Sequence, residues 1–303
     1  MSAAIQRQAG ERSVRATLYS DPACPWAYSA TPALSVLRWR YRDQLDWSLV
    51  TIGLRDETKM LANGGYTPAL QAAHARRFRD RYGMPIAAAP RARLAATGRA
   101  CRAVVATRMA HPGREFAALR ALAFAWFTTD LLLDEDAAIA AALAGVDGID
   151  TAALVASLDS DAVTEAYESD KARARSAAGG PTDFQGKAAV SDGQVRFTAP
   201  SIVFEADDGR SLEGGGFQPL EVYDVLIANL DTTLERHLPP KDGPLKLLAE
   251  FPEGLCTQEI AVAMAPNLME IDRAGSEDAL LELVAAGRAS REPLGDDALW
   301  FAA

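Results

Sequence analysis

Residues 19–28 read Tyr-Ser-Asp-Pro-Ala-Cys-Pro-Trp-Ala-Tyr and set one cysteine, Cys24, between two local patterns. The apolar run Val14–Leu18 just before this segment predicts a β-strand. From Pro25 to Tyr41 the spacing of the apolar residues predicts an α-helix. Pro25 suits the first helical turn, because an N–H at that position has no partner inside the helix. We therefore expect Cys24 at a strand-to-helix junction.

That position has a chemical consequence for the thiol. The first N–H groups of a helix have no partner inside it, and the helix dipole favours a negative charge there. A cysteine so placed can have its pKa lowered to roughly 3.5–7.5. The sequence thus predicts an exposed, reactive thiolate at Cys24, with Trp26 partly exposed beside it. The alternative is a buried, inert cysteine in the turn, because cysteine is among the most buried residue types. Three residues further on stands Ala27 and not a second cysteine.

Two later segments extend this pattern: residues 198–204 read TAPSIVF and residues 214–217 read GGGF. Together with DPACPWAY at residues 21–28, they resemble the DsbA-like family of thioredoxin-fold proteins. The resemblance is closest to cytoplasmic, actinobacterial-type members, which read D-x-x-C-P-W-C or C-P-W-A at this point. It extends over residues 15–231, roughly three quarters of the chain.

The resemblance implies roles for particular residues. Cys24 corresponds to the family's nucleophile, flanked by Pro25 and Trp26. Pro200 corresponds to the family's cis-proline, which implies that the backbone of Ala199 faces Cys24 and binds the substrate. The resolving cysteine of the family maps to Ala27 and is absent. A mixed disulfide at Cys24 then needs another thiol to release it, either a small cellular thiol or Cys101.

The glycine run after residue 213 has two interpretations. It is either a tight turn before a helix or, as the resemblance implies, the place where the carboxylate end of a small thiol lies, bound by Gly215 and Gly216. Cys101 has two interpretations as well: a small core residue, or a second reacting thiol. The three histidines of the chain lack the spacing of metal ligands, so no metal site is expected.

The predicted fold class is α/β: a thioredoxin-like fold with a helical insertion, plus a small C-terminal winged-helix-like α+β domain. Residues 15–65 and 180–235 form the predicted thioredoxin-like domain, and residues 66–179 form the inserted domain of four or five helices. Residues 45–52 predict a second strand, parallel to the first. Residues 179–193 are longer than in the family, which predicts an extra hairpin or a flap over the site.

Residues 239–244, PPKDGP, have the composition of a linker, and residues 241–303 form the predicted C-terminal domain. Its helices are expected at residues 245–251, 257–264 and 276–286, with Thr257 and Ser276 as N-caps. Two strands are expected at residues 289–292 and 298–301. This order resembles a winged helix-turn-helix module.

The charge of this domain opposes the DNA-binding role that such modules usually have. Residues 241–303 contain five Lys or Arg and twelve Asp or Glu, a net charge of −7. The helix that would enter the major groove carries Glu277, Asp278 and Glu282 and no cation. Because DNA binding needs Lys and Arg to neutralise phosphates, we expect dimerisation or covering of the site in its place.

The composition of the chain narrows the class of protein and its expected compartment. The 303 residues have a net charge of −10, no run of apolar residues long enough to span a membrane, and no apolar segment of the signal-peptide kind in residues 1–14. Three widely spaced cysteines fit a reducing compartment, so we expect a cytoplasmic protein. The expected partners are a small thiol, such as glutathione or a mycothiol-like compound, or a protein thiol, and a homodimer is plausible. No tightly bound cofactor is expected.

Three functional hypotheses follow. The first is a monothiol oxidoreductase or thiol transferase with Cys24 as nucleophile. The second is an enzyme like the isomerases of 2-hydroxychromene-2-carboxylate or the kappa-type glutathione transferases, which carry serine at the position of Cys24 and bind the small thiol noncovalently. The third is a binding module without catalysis.

Overall fold

The computed structural model describes residues 14–58 and 64–303. The prediction about an N-terminal signal segment falls on residues 1–13, outside this range, as do residues 59–63 of the predicted thioredoxin-like domain. The strands of the described residues are, in chain order, β1 (Val14–Ser20), β2 (Leu45–Thr51), β3 (Ala189–Ser191), β4 (Gln194–Arg196), β5 (Ser201–Ala206), β6 (Ser211–Gly214), β7 (Leu255–Cys256), β8 (Ala289–Leu294) and β9 (Asp297–Ala302).

The α-helices, numbered in the same way, alternate with these strands and fill the long segment between β2 and β3. They are α1 (Pro25–Ser29), α2 (Thr31–Tyr41), α3 (Pro68–Tyr82), α4 (Gly98–Ala110), α5 (Glu115–Thr128), α6 (Asp136–Leu143), α7 (Thr151–Ser157), α8 (Asp161–Ala174), α9 (Pro181–Phe184), α10 (Leu220–Leu230), α11 (Leu245–Glu250), α12 (Thr257–Met264) and α13 (Arg273–Ala285).

A four-stranded sheet in the order β2-β1-β5-β6 forms the centre of the molecule. β1 and β2 are parallel, since α1 and α2 carry the chain back to the same edge. β5 runs antiparallel to both β1 and β6, and the turn after Ala206 joins β5 to β6. Leu18, Leu49 and Phe204 from these strands belong to one buried core with the helices of the insertion.

The predicted single helix from Pro25 to Tyr41 is wrong, because the chain forms α1, a break at Ala30, and α2. Pro32 explains the break. It lacks an N–H, and its ring would clash with the carbonyl of Tyr28 in a continuous helix. α1 is consequently only five residues long.

The inserted segment holds six helices, α3–α8, where the sequence predicted four or five. The additional division comes from side-chain caps. Asp150 accepts the N–H of Ala153 to begin α7, and Ser160 accepts the N–H of Val163 to begin α8. The extra hairpin predicted for residues 179–193 is present as β3 and β4, preceded by the short helix α9, but its second strand lies beyond residue 193.

The C-terminal residues form α11, β7, α12, α13, β8 and β9, with a three-stranded sheet in the order β7-β9-β8. Both predicted N-caps are wrong. α12 is capped at Cys256, whose N–H donates to Glu259 at 2.9 Å, because the Thr257 hydroxyl is bonded to Asp297. α13 begins earlier, at Arg273, because the Asp272 carboxylate accepts the N–H of Gly275 at 2.8 Å.

Buried polar contacts fix these C-terminal elements to the rest of the chain. Glu259 of α12 is fully buried and accepts hydrogen bonds from Ser35 of α2 at 2.7 Å and from Arg120 of α5 at 2.7 and 2.8 Å. Burial opposes ionisation of Glu259, but the charge of Arg120 and its hydrogen bonds hold the pKa of Glu259 below its usual value. Val36 and Trp39 of α2 complete the contact with an apolar core shared with Trp300.

Candidate functional site

Cys24 immediately precedes α1 and is held there by the turn that begins at Asp21. The Cys24 N–H donates to the Asp21 carbonyl at 3.1 Å, and the Asp21 carboxylate accepts the N–H groups of Ala23 and Leu54, each at 2.9 Å. The Leu54 bond ties the turn to the segment that follows β2. The strand-to-helix position predicted for Cys24 is therefore the one observed.

The predicted exposed thiolate is not what the structure shows. Cys24 is 6 % exposed and packs with Tyr19, Phe197 and Ala199. Burial raises the pKa of the Cys24 thiol to about 11, although the backbone N–H groups of Ala27 and Trp26 act in the opposite direction. The helix terminus stabilises the thiolate as expected, but the loss of solvation outweighs it. The resting thiol is protonated at neutral pH.

The proton of Cys24 has a defined acceptor, because its Sγ donates to the carbonyl oxygen of Ala199 at 3.1 Å. The peptide bond between Ala199 and Pro200 is cis, and Ser201 after it begins β5. The structure thus brings together Cys24 and the Ala199–Pro200 segment, which are 175 residues apart in sequence. The two parts of the predicted site meet at the carboxyl end of β1.

Trp26 forms one wall of the opening next to the sulfur. It is 43 % exposed and makes aromatic contacts with Phe78 and Tyr82 of α3 and with Phe217, at centroid distances of 4.9, 5.8 and 5.6 Å. Pro25 lies beside it at the first position of α1. The partial exposure predicted for Trp26 is confirmed.

Cys24 has no exposed cysteine as a partner. Ala27 stands where a resolving cysteine would be, and all three cysteines of the chain are free and buried. Cys101 is fully buried in α4, and its Sγ lies 3.4 Å from the carboxylate of Asp21. Burial and the charge of Asp21 raise the pKa of the Cys101 thiol well above its usual value. This favours the interpretation of Cys101 as a core residue over that of a second reacting thiol.

The contacts of the glycine run decide between its two interpretations. The Gly216 N–H donates to the Ser201 hydroxyl at 3.0 Å, so it is not free to bind a carboxylate. A Cβ on Gly215 would lie 2.5 Å from Oγ1 of Thr182, which shows that α9 packs directly on this turn. Neither glycine lines the cavity at Cys24. The interpretation of the run as a tight turn fits these contacts.

A cavity of about 390 Å³ opens above Cys24. Ala23, Cys24 and Ala199 line its base, and α3 and the segment between α3 and α4 form its walls. Three arginines also line it: Arg55, Arg91 and Arg196. Sequence reasoning missed all three, because they come from distant segments without a shared motif and only the fold places them together.

Two further classes of site find no support in the described part of the chain. Residues 14–58 and 64–303 contain no group of three His, Cys, Asp or Glu side chains that could hold a metal ion. The same residues form no helix long and apolar enough to cross a membrane. His74 is the only one of the three histidines that lines the cavity within the described residues.

The sheet order, the inserted helices and the cysteine that precedes α1 define a thioredoxin-fold protein with a helical insertion. The model of the DSBA-like thioredoxin domain matches residues 16–199, well over half of the chain, and the chain belongs to this family. Members of this family are thiol–disulfide oxidoreductases. A search of curated proteins finds no match to this sequence.

Solved structures confirm the fold. A putative protein disulfide isomerase from Nitrosomonas europaea superposes with a TM-score of 0.54 at 17 % identity, over 72 % of this chain and 97 % of that one. The cytosolic disulfide reductase DsbM from Pseudomonas aeruginosa gives 0.50 at 17 % identity, with the same coverage. A probable DsbA oxidoreductase from Streptomyces coelicolor gives 0.50 at 18 %, over 75 % of this chain and 93 % of that one.

Proposed function

We propose that this protein is a cytoplasmic monothiol oxidoreductase or thiol transferase in which Cys24 exchanges disulfides with a small thiol such as glutathione or a mycothiol-like compound. The observation that carries the proposal is the placement of Cys24 before α1, 3.1 Å from the Ala199 carbonyl and at the base of a cavity, with Ala27 in place of a second cysteine. Family membership supports thiol–disulfide chemistry at this position.

The reaction takes place in two exchanges at one sulfur. The Cys24 thiolate attacks a disulfide R–S–S–R, a Cys24–S–S–R bond forms, and R–S⁻ leaves and takes up a proton. A second thiolate R′–S⁻ then attacks the R sulfur, R–S–S–R′ forms, and Cys24 leaves as a thiolate. The N–H groups of Trp26 and Ala27 stabilise that thiolate in both steps. The proton returns to Cys24 when its bond to Ala199 forms again.

Further parts of the proposal concern the substrate contacts. Pro25 and Trp26 shape the opening at Cys24, and the backbone of Ala199 and Pro200 binds an extended substrate. A protein thiol is the alternative substrate to a small one. The chain needs no tightly bound cofactor for this chemistry, because the small thiol supplies the electrons.

The domain arrangement completes the proposal. Residues 15–65 and 180–235 form the thioredoxin-like domain, residues 66–179 the inserted domain, and residues 241–303 a winged-helix-like module, whose element order supports this assignment. Glu277, Asp278 and Glu282 on α13 support a role in contacts with protein, including a second copy of the chain, over DNA binding. The three free cysteines support a cytoplasmic location.

One observation favours a second candidate function. The buried, protonated thiol of Cys24 donates a hydrogen bond, as a serine hydroxyl would at that position. This arrangement suits an enzyme of the hydroxychromene-carboxylate isomerase or kappa glutathione transferase kind, in which a small thiol binds noncovalently. Turnover of such a substrate that survives Cys24→Ser would select this candidate.

A glutathione-dependent disulfide reduction assay tests the first proposal. Hydroxyethyl disulfide serves as substrate, and glutathione reductase with NADPH reports the oxidised glutathione formed. The wild type and Cys101→Ala should both accelerate the reaction, and Cys24→Ser should reduce the rate to that without protein. An equal rate with Cys24→Ser and the wild type would refute the role of Cys24.

A further inference from the structure

The cavity at Cys24 concentrates positive charge in a chain whose net charge is −10. Arg55 follows β2, Arg91 lies between α3 and α4, and Arg196 ends β4. Among the described residues, no Asp or Glu lines this cavity, and none of these three guanidinium groups forms an ion pair. By contrast, Arg99 and Arg108 of the helical insertion are both paired with carboxylates.

The hydrogen bonds of Arg91 and Arg196 do not neutralise the positive charges of these two side chains. Arg91 donates to the carbonyl oxygens of Leu131 and Trp126, and Asp130 acts on it only from beyond ion-pair distance. Arg196 donates to the Ser191 hydroxyl at 2.7 Å and the Phe197 carbonyl at 2.9 Å, and Asp21 and Asp192 act on it only from beyond ion-pair distance. All of the bonded acceptors are neutral.

Holding these two charges in the cavity has a cost. Burial lowers the pKa of Arg91 to about 10 and also lowers the pKa of Arg196. Burial of a charge away from water raises the free energy unless an opposite charge lies beside it. An anion bound in the cavity would supply that opposite charge.

Arg55 is the arginine best placed to contact a ligand. Its side chain makes no hydrogen bond to any of the described residues, whereas its backbone carbonyl accepts from Thr97 and Gly98. Its charge acts on both Cys24 and Arg91, and it lines the same cavity as these two residues. The guanidinium of Arg55 therefore keeps its donors available close to the reacting atom.

The rest of the lining is apolar and aromatic. A cavity of about 390 Å³ has room for a ligand with two fused or linked rings. Flat side chains offer it surfaces for stacking, and those that line the cavity are Trp26, Tyr66, Phe78, Trp126 and Phe127.

We propose that the Cys24 cavity binds, in addition to the small thiol, a flat, largely apolar organic anion, whose charged group contacts Arg55, Arg91 and Arg196 and whose body packs on the aromatic walls. Binding of this anion goes beyond the proposed function, because it requires no covalent step, and it can be measured even if the Cys24 thiol proves inert.

A pair of fluorescent probes tests the charge preference directly. Anilinonaphthalenesulfonate is a two-ring anion, and N-phenylnaphthylamine is the same amine without the sulfonate. We expect the anion to bind the wild type more tightly than the neutral probe does. We further expect Arg55→Met to weaken binding of the anion by roughly tenfold, since a hydrogen bond to a charged group is lost, and to leave the neutral probe unchanged.

Two matched variants locate the effect. Arg55→Lys keeps the charge and should retain most of the affinity, whereas Arg288→Met removes an exposed arginine far along the chain and should change nothing. Added salt should weaken binding of the anion alone. Equal affinity for both probes, or an anion affinity that Arg55→Met leaves unchanged, would overturn the inference. Neither result would affect disulfide exchange by Cys24, which the reductase assay measures separately.

Discussion

At Cys24, burial and the helix terminus act on the thiol in opposite directions, and burial dominates. The segment DPACPW was sufficient to predict where the cysteine lies, because the strand, the turn and Pro25 are local signals. The sequence could not decide between an exposed and a buried thiol, since Phe197 and Ala199, which cover it, lie more than 170 residues away and pack there only in the folded chain. The predicted exposed thiolate failed for this reason.

The raised pKa predicts how the reactivity of Cys24 depends on pH. Below about pH 11 the thiolate fraction rises about tenfold per pH unit. The rate of alkylation by iodoacetamide, a neutral reagent, should therefore still be rising above pH 9.0, the ordinary pKa of the thiol. Mass spectrometry of labelled peptides, with Cys24→Ser as the background, measures this rate. A rate that levels off below about pH 8 would contradict the burial argument.

Asp21 connects the stability of the site to its reactivity. Asp21→Asn replaces one carboxylate oxygen by an NH₂ group, so the N–H of Ala23 or of Leu54 loses its acceptor. We expect the free energy of unfolding to fall by about 1–3 kcal/mol. Because the charge of Asp21 is one of the causes that raise the pKa of Cys24, the same variant should be alkylated several-fold faster.

A matched variant separates these two effects from a general loss of charge. Asp207→Asn removes a carboxylate from the exposed turn after β5 and should change neither urea denaturation nor alkylation. If Asp21→Asn and the wild type unfold at the same urea concentration, the stability of the turn does not depend on the carboxylate of Asp21.

At the scale of elements, the strands were predicted more reliably than the helix boundaries. β1 and β2 follow from an apolar run and from alternation, which are local signals. The divisions between α1 and α2, and between α6, α7 and α8, depend on single residues such as Pro32 and Asp150. The N-caps of α12 and α13 depend on which nearby polar side chain has no other hydrogen-bond partner. For Thr257, a contact with another part of the chain determines this.

The packing of α9 on the glycine turn can be tested with one methyl group. A Cβ at Gly215 would lie within 3.0 Å of three side-chain atoms of Thr182, whose hydroxyl is already bonded to Glu213. We expect Gly215→Ala to displace α9 and to speed amide hydrogen exchange in residues 181–196. Gly145→Ala is the control, because a Cβ at Gly145 would meet nothing within 4 Å and the φ of Gly145 is not positive. Unchanged exchange in Gly215→Ala would show that α9 does not pack as described.

Across the whole molecule, the buried ion pair of Arg120 and Glu259 is one of the contacts that hold the C-terminal elements in place. Arg120→Met would leave the buried carboxylate of Glu259 without its cation. We expect the free energy of unfolding to fall by roughly 3–5 kcal/mol, and Glu259→Gln in the same protein to restore part of it. Chemical denaturation followed by tryptophan fluorescence measures both.

Arg38→Met is the control for this pair. It breaks an exposed ion pair with Glu253 at the same contact between α2 and the C-terminal elements, and we expect a loss below about 1 kcal/mol. If Arg38→Met and Arg120→Met lower the free energy of unfolding equally, the buried ion pair of Glu259 contributes no more to stability than an exposed one. The three cavity arginines belong to this scale too, because only the complete fold brings residues 55, 91 and 196 together.

A disulfide-exchange centre with one cysteine should form a single mixed disulfide, which intact-protein mass spectrometry detects after incubation with oxidised glutathione. The wild type should gain one glutathione, Cys24→Ser none, and Ala27→Cys should lose two hydrogens through a disulfide to Cys24 in place of a stable adduct. An adduct that persists in Cys24→Ser, or a wild type that gains none even at about pH 9, where alkylation shows the thiol to be accessible, would contradict the account.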